Sequence, residues 1–237
     1  MLLPPRGRAM PKQPSRRGFK NQVLAKLTLA DSSLLAPHLE AVDLPLGTAL
    51  EASNKRINTI YFLDRGFASV VANGASGRAI EVGIIGREGM TGLPVVLGHD
   101  RAVRDTYIQV AGSGWAIGAT KLREAMNESV PLHRSLLRCV HAFMLQTTET
   151  GVANGRSKNE ERLARWLLMA DDRIDGGKVP LTHKLLAIIL GGQRPGVTLA
   201  IQVFERKRLI SARRGLITIL DRKGLIKFSN GAYEPPD

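Results

Sequence analysis

A single cysteine, Cys139, in a chain of 237 residues leaves no room for a disulfide framework, a multi-cysteine zinc site or an iron–sulfur cluster held by four thiolates. The expected compartment is reducing. Long apolar runs are also missing: the longest, such as residues 185–190, are far too short to span a bilayer. The first twenty residues are basic but lack the apolar core of a secretory signal, so a cytoplasmic protein with no membrane partner is expected. The five histidines, His38, His99, His133, His141 and His183, form no short metal-ligand pattern, and no metal site is expected. Common catalytic devices are absent too: no glycine-rich phosphate loop followed by lysine, no nucleophile elbow, no His-Glu-x-x-His helix. Gly86-x-x-Gly89-x-x-Gly92 reads as the shaping of a turn and Asp171-Asp172 as a solvated helix end, so the chain is not expected to be an enzyme.

What is present is an ordinary globular composition, 43% hydrophobic and 23% charged, with enough chain for one large domain or two modest ones. The formal charge of +13 is unevenly placed. Residues 1–20 carry Arg6, Arg8, Lys12, Arg16, Arg17 and Lys20 with no acid; residues 21–156 are nearly balanced; residues 157–237 are again strongly basic. Positive charge at the two ends of a neutral middle points to a polyanion-binding part joined to a part with another task, or to a solvated basic surface.

Residues 1–20, with Pro4, Pro5, Pro11 and Pro14 and no apolar period, read as a flexible basic arm. Short helices are expected over residues 21–29 and 32–39. Residues 59–63 and 67–72 are β-rich runs separated by Asp64-Arg65-Gly66, a hairpin signal, and Asn73-Gly74-Ala75-Ser76-Gly77 supplies another turn. Further strands are expected over 78–85, 106–111 and 114–117, the last two parted at Gly112. Short strands with glycine-marked turns predict an antiparallel barrel or roll.

Beyond Lys121 the pattern turns helical. Leu136, Val140, Phe143, Thr147 and Thr150 step by four and three, the spacing of a seam facing either a helix of a second copy or the chain's own barrel. Ser157-Lys158-Asn159-Glu160 fits a capping box for a helix that buries Leu163, Trp166, Leu167 and Ala170, and Asp175-Gly176-Gly177 breaks it.

The strongest signal lies between Thr182 and Leu220. Thr182 caps a helix with Leu185, Leu186, Ile189 and Leu190 on one face; Gly191-Gly192 ends it; Arg194-Pro195 opens another that turns Val197, Ile201 and Phe204 inward. Ala187, Gly191 and Val197 meet the steric demands of a helix-turn-helix. Residues 209–212, Arg213-Arg214-Gly215 and residues 216–220 then spell a hairpin with a basic tip, a wing. Lys184, Arg194, Arg206, Lys207, Arg208, Arg213 and Arg214 stand against one acid, Glu205, in this stretch, which points to double-stranded DNA, the alternative being a helical hairpin used for protein contacts.

With these residues in view, the chain resembles the Crp/Fnr family of transcriptional regulators. The likeness is carried by residues 161–169, Leu181-Thr182-His183, Pro195-Gly196-Val197-Thr198, residues 217–222 and, in the barrel, Gly86-Arg87-Glu88-Gly89-Met90-Thr91-Gly92. It implies an α+β architecture: a cyclic-nucleotide-binding-like antiparallel β-roll over residues 21–132, a long dimerisation helix over 133–156 and a winged helix-turn-helix DNA-binding domain over 157–237. It also implies a homodimer acting on a two-fold DNA site, with RNA polymerase as a further partner.

Carried over residue by residue, the resemblance places Arg194 at the front of the recognition helix, where arginine pairs bidentately with guanine O6 and N7. The next position, often a glutamate in the family, is Pro195, and a later one often held by arginine is Leu199, so base readout differs from that of familiar members. Gln193 and Thr198 are further candidates for base or phosphate contact; Thr182, His183, Lys184, Arg213 and Arg214 suit phosphates. On the ligand side, Glu88 matches a ribose-binding glutamate but follows Arg87 instead of glycine. Arg104 matches a phosphate-binding arginine but precedes Asp105 instead of serine. Thr147 and Thr148 fall where a base would be met. A cyclic nucleotide, another effector, or none therefore remain open, as does a signalling module that binds a nucleotide or protein but not specific DNA.

Overall fold

The computed structural model describes residues 18–74, 79–180 and 194–235, without the side chains of residues 194–197. Two short helices, α1 (Gln22–Ala25) and α2 (Leu29–Leu35), stand near the two expected. Asn21 caps α1: its Oδ1 accepts from the Val23 and Leu24 N–H groups, and its Nδ2 donates to Leu63 O and Gly89 O. Asp64 accepts from the backbone N–H groups of Lys20 and Asn21 and from Trp115 Nε1, and Phe19 packs edge-on against Trp115 at 5.1 Å. Attachment to the sheet thus reaches back to Phe19; residues 1–17 of the basic arm lie outside the described residues.

Strands β1 (Glu40–Leu44), β2 (Ala49–Glu51), β3 (Thr59–Asn73), β4 (Ala79–Ile85) and β5 (Asp105–Gly118) make one antiparallel sheet in the order β1-β5-β3-β4, with β2 also on β5. The expected hairpin at Asp64-Arg65-Gly66 is not formed. Residues 59–73 are one strand whose register against β5 shifts between Leu63 and Arg65 and again between Arg65 and Phe67. Gly66 adopts φ +72°, and a Cβ there would sit 2.3 Å from Val110 O; one on Gly112 would sit 1.9 Å from Arg65 O. The glycines admit a close backbone approach across a bulge instead of marking reversals. For the same reason β5 runs unbroken through Gly112. The turn expected over 73–77 falls partly outside the described residues.

After α3 (Leu93–Val96) and α4 (Ala119–Glu128) comes α5 (Val130–Arg156), 27 residues capped by the Ser129 hydroxyl. The stripe read as a seam faces the chain's own roll. Leu136 and Val140 are buried in the core shared with α1 and α4, and Phe143 packs on the apolar group containing Leu63, Ile85 and Ile108. Gln146 exchanges two hydrogen bonds with the backbone of Ile84, at 2.7 and 3.1 Å. The opposite face of α5 exposes Leu137, Met144, Leu145 and Val152.

The capping box also moves. Ser157 ends α5, its N–H donating to Ala153 O. Helix α6 (Asn159–Asp171) starts after Lys158, whose N–H donates to Glu161 Oε2 at 2.9 Å. The closing glutamate is therefore Glu161 and not Glu160. Strands β6 (Lys178–Pro180), β7 (Ile210–Arg213) and β8 (Leu216–Ile219) form a second sheet in the order β6-β8-β7, flanked by α7 (Arg194–Arg206) and α8 (Arg222–Phe228). Leu163, Trp166, Leu167, Ala170, Phe204, Ile217 and Leu225 fill its core, joined by Phe67 and Ile84 from the first sheet. Burial of each large apolar side chain contributes about 1.5–3 kcal/mol.

Candidate nucleic-acid interface

Helix α7 lies on its core through Ala200 and Phe204, both fully buried, and Phe204 meets Phe228 of α8 edge-on at 5.1 Å. Of the inward set expected at Val197, Ile201 and Phe204, Phe204 is buried and Ile201 partly buried, while the side chain of Val197 lies outside those described. Thr198, Leu199 and Gln202 are exposed on the other side. The helix ends at Arg206, and Arg208, with φ of +55°, turns the chain toward the wing.

The wing is a two-residue hairpin. Arg213 pairs with Leu216, leaving Arg214 (φ +49°) and Gly215 (φ +77°) as the loop. Two consecutive positive φ values are the mark of a type I′ turn, which suits the twist of the flanking strands. Arg213 and Arg214 are both exposed at the tip. Glu205, on α7, is turned toward the wing, its Oε1 accepting from the Ala212 N–H at 3.0 Å. On the far side Arg222 is held by Asp171, Asp172 and Tyr233, fastening α8 to α6.

Of the residues proposed for DNA, Thr182, His183, Lys184 and Gln193 lie outside the described residues, as does the helix preceding Gly191. Arg194 is the first residue of α7, though its side chain is not described. Thr198 on the helix and Arg213 and Arg214 on the wing are each exposed. Among the described residues of this domain, β6 and α8 had no sequence reading. The signal for α8 was Asp221, whose carboxylate caps it through the Gly224 N–H at 2.8 Å.

The four ligand candidates are not brought together. Glu88 Oε1 is taken by Arg173, at 2.8 Å from Nε and 2.7 Å from Nη2. It lines a cavity of about 410 Å³ between roll, α5 and α6, with Gln146, Glu149 and Arg165. Arg104 lines a different, mainly apolar cavity of about 190 Å³ with Val70, Leu93, Val140 and Phe143. Thr147 and Thr148 donate their hydroxyls to Met144 O within α5, and neither lines either cavity. The carboxylate of the apolar cavity, Glu51, was not singled out in the sequence. It accepts from Gly92 N–H and Thr106 Oγ1, both at 2.6 Å, and burial raises its pKa against those bonds.

A buried carboxylate joins the first sheet to α6. Glu81 of β4 accepts from Ser69 Oγ and from Trp166 Nε1 of α6. Burial pushes its pKa up to about 7, against the lowering by those hydrogen bonds and by the nearby Arg165 and Arg173. Arg87 adds a bond from Nη2 to Asp172 O at 2.6 Å.

Residues 161–228 match the family model of the Crp-like helix-turn-helix domain. The chain is 40% identical over 58 residues to the HTH-type transcriptional regulator Cmr of Mycobacterium tuberculosis, a stretch that is 24% of this chain and 23% of that protein. Its fold is similar to that of FixK2 from Bradyrhizobium japonicum, with a TM-score of 0.69 at 15% identity over 84% of this chain and 99% of that one. It is also similar to a CRP-family transcriptional regulator from Thermus thermophilus, with a TM-score of 0.64 at 19% identity over 82% of this chain and 98% of that one. Residues 161–228 are thus a Crp-like helix-turn-helix domain, and the fold along most of the chain is similar to that of FixK2 and of the Thermus thermophilus regulator.

Proposed function

We propose that the protein is a homodimeric regulator of transcription that reads a two-fold DNA site with α7, acts in the cytoplasm with RNA polymerase as a partner, and answers to an effector bound at the roll. The observation that carries the DNA reading is the exposed side of α7 standing beside a type I′ wing tipped by Arg213 and Arg214, within the Crp-like helix-turn-helix domain. Arg194 at the front of that helix pairs with guanine, while the wing arginines neutralise phosphates and supply affinity without sequence preference.

Dimerisation is supported by the exposed face of α5. Leu137, Met144 and Val152 fall seven and eight residues apart and are 38%, 57% and 54% exposed, a stripe suited to the same helix of a second copy. The effector reading is supported by the position of Glu88. A ligand that takes Glu88 Oε1 displaces Arg173, so binding at the roll and contact between roll and winged domain draw on the same oxygen.

The test is selection of duplexes from a random pool by the full-length protein, followed by titration at several salt concentrations. A two-fold consensus bound by a dimer, whose preference is lost in Arg194→Ala, supports the proposal. A monomer with no more affinity for any duplex than for heparin overturns it in favour of a signalling module whose basic end only docks.

A further inference from the structure

The exposed side of α7 carries an apolar side chain. Leu199 is 58% exposed, next to Thr198 and one turn before Gln202, both also exposed. Residues at i and i+3 are neighbours on a helix surface, so Leu199 and Gln202 form one small patch with an alkyl group and a carboxamide side by side. No carboxylate accompanies them. The one acid of the helix, Glu205, is spent on the Ala212 N–H of the wing, so the patch lacks the group that accepts from cytosine N4.

In the major groove one base substituent is purely apolar, the 5-methyl group of thymine, and a carboxamide is the bidentate partner of adenine N6 and N7. Building on the DNA-binding reading above, we infer that Leu199 packs against a thymine methyl and that Gln202 stands on the same A·T-rich step. Each half-site then carries an A·T step beneath the middle of α7, inward of the pair met by Arg194. Loss of water from both alkyl surfaces supplies the preference, since neither side offers a hydrogen bond there.

The experiment uses the full-length protein and its selected duplex. Each thymine is replaced in turn by deoxyuridine, which removes one methyl and keeps every hydrogen-bonding group. At one position per half-site this weakens binding roughly three- to fivefold, the equivalent of one buried methyl group. In Leu199→Ala, an exposed position whose truncation spares the fold, the same replacement changes nothing. No methyl-sensitive thymine, a sensitivity that survives in Leu199→Ala, or a selected half-site with G·C throughout the stretch under α7 each overturns the inference while leaving DNA binding intact. Failure to select any duplex overturns the DNA reading itself, and the inference with it.

Discussion

The indole N–H of Trp166 donates to Glu81 Oε1 at 2.6 Å, linking a helix of the winged domain to the sheet of the roll across 85 residues of sequence. The carboxylate is buried, and Ser69 holds its other oxygen. Phe67 packs against the same indole at 6.2 Å, so the polar contact sits inside an apolar joint. Such a bond is strong because water is excluded, and for the same reason it is sensitive to the carboxyl's protonation.

Stability should therefore fall as pH rises through the window set by Glu81. Folded, the group keeps its proton up to about pH 7; unfolded, it loses it near the ordinary value of 4.5. Between these values the folded state binds more protons, so rising pH favours unfolding, with a contribution on the order of 3 kcal/mol. Denaturant titrations from pH 4.5 to 8 on the wild type and Glu81→Gln check this. The variant should lose that part of the slope, and identical slopes would refute the assignment.

The pair Arg173–Glu88 should matter more than a surface ion pair. The Arg173 side chain is 6% exposed and that of Glu88 28%. Arg173→Ala leaves Glu88 without its cation at the joint, and a loss of about 2–4 kcal/mol is expected from the calorimetric or denaturant-derived stability. Glu88→Gln, which keeps an oxygen to accept from the guanidinium, should cost less than half of that.

On α5, two substitutions separate the inner face from the outer one. Leu136→Ala opens a cavity in the roll's core and should cost about 2–5 kcal/mol. Met144→Glu on the exposed stripe should leave far-ultraviolet circular dichroism unchanged while shifting sedimentation equilibrium from dimer to monomer. A dimer that tolerates Met144→Glu together with Leu137→Glu would place the seam elsewhere.

At the wing, Arg213→Ala and Arg214→Ala should weaken every duplex to a similar degree and each lower the slope of log affinity against log salt by about 1. Gly215→Ala should cost roughly 1 kcal/mol of stability, because φ of +77° is unfavourable once a Cβ is present. Affinity measured at four salt concentrations, with a thermal melt alongside, separates the two effects.

Where the sequence reading and the fold part company, the cause is a contact distant along the chain. Asp64-Arg65-Gly66 has the composition of a turn, yet it is a bulge because fourteen residues of β5 run alongside and Gly112 lets the two backbones touch. The stepped stripe on α5 was correctly placed on a helix, but its period could not say which of two apolar faces meets the roll; Gln146 on Ile84 decides it. The capping signal before α6 was off by one residue because Ser157 is used by the helix that precedes it.

The wing, the inward set of α7 and the break after α6 rest on chemistry within a few residues, such as the left-handed pair Arg214-Gly215, and the sequence alone determined them. The roll's bulged strands, the face that α5 turns outward, the capture of Glu88 by Arg173 and the joint between Glu81 and Trp166 were decided only by tertiary structure. Each depends on groups tens of residues apart being driven out of water together, and no local pattern encodes which partner a buried charge will find.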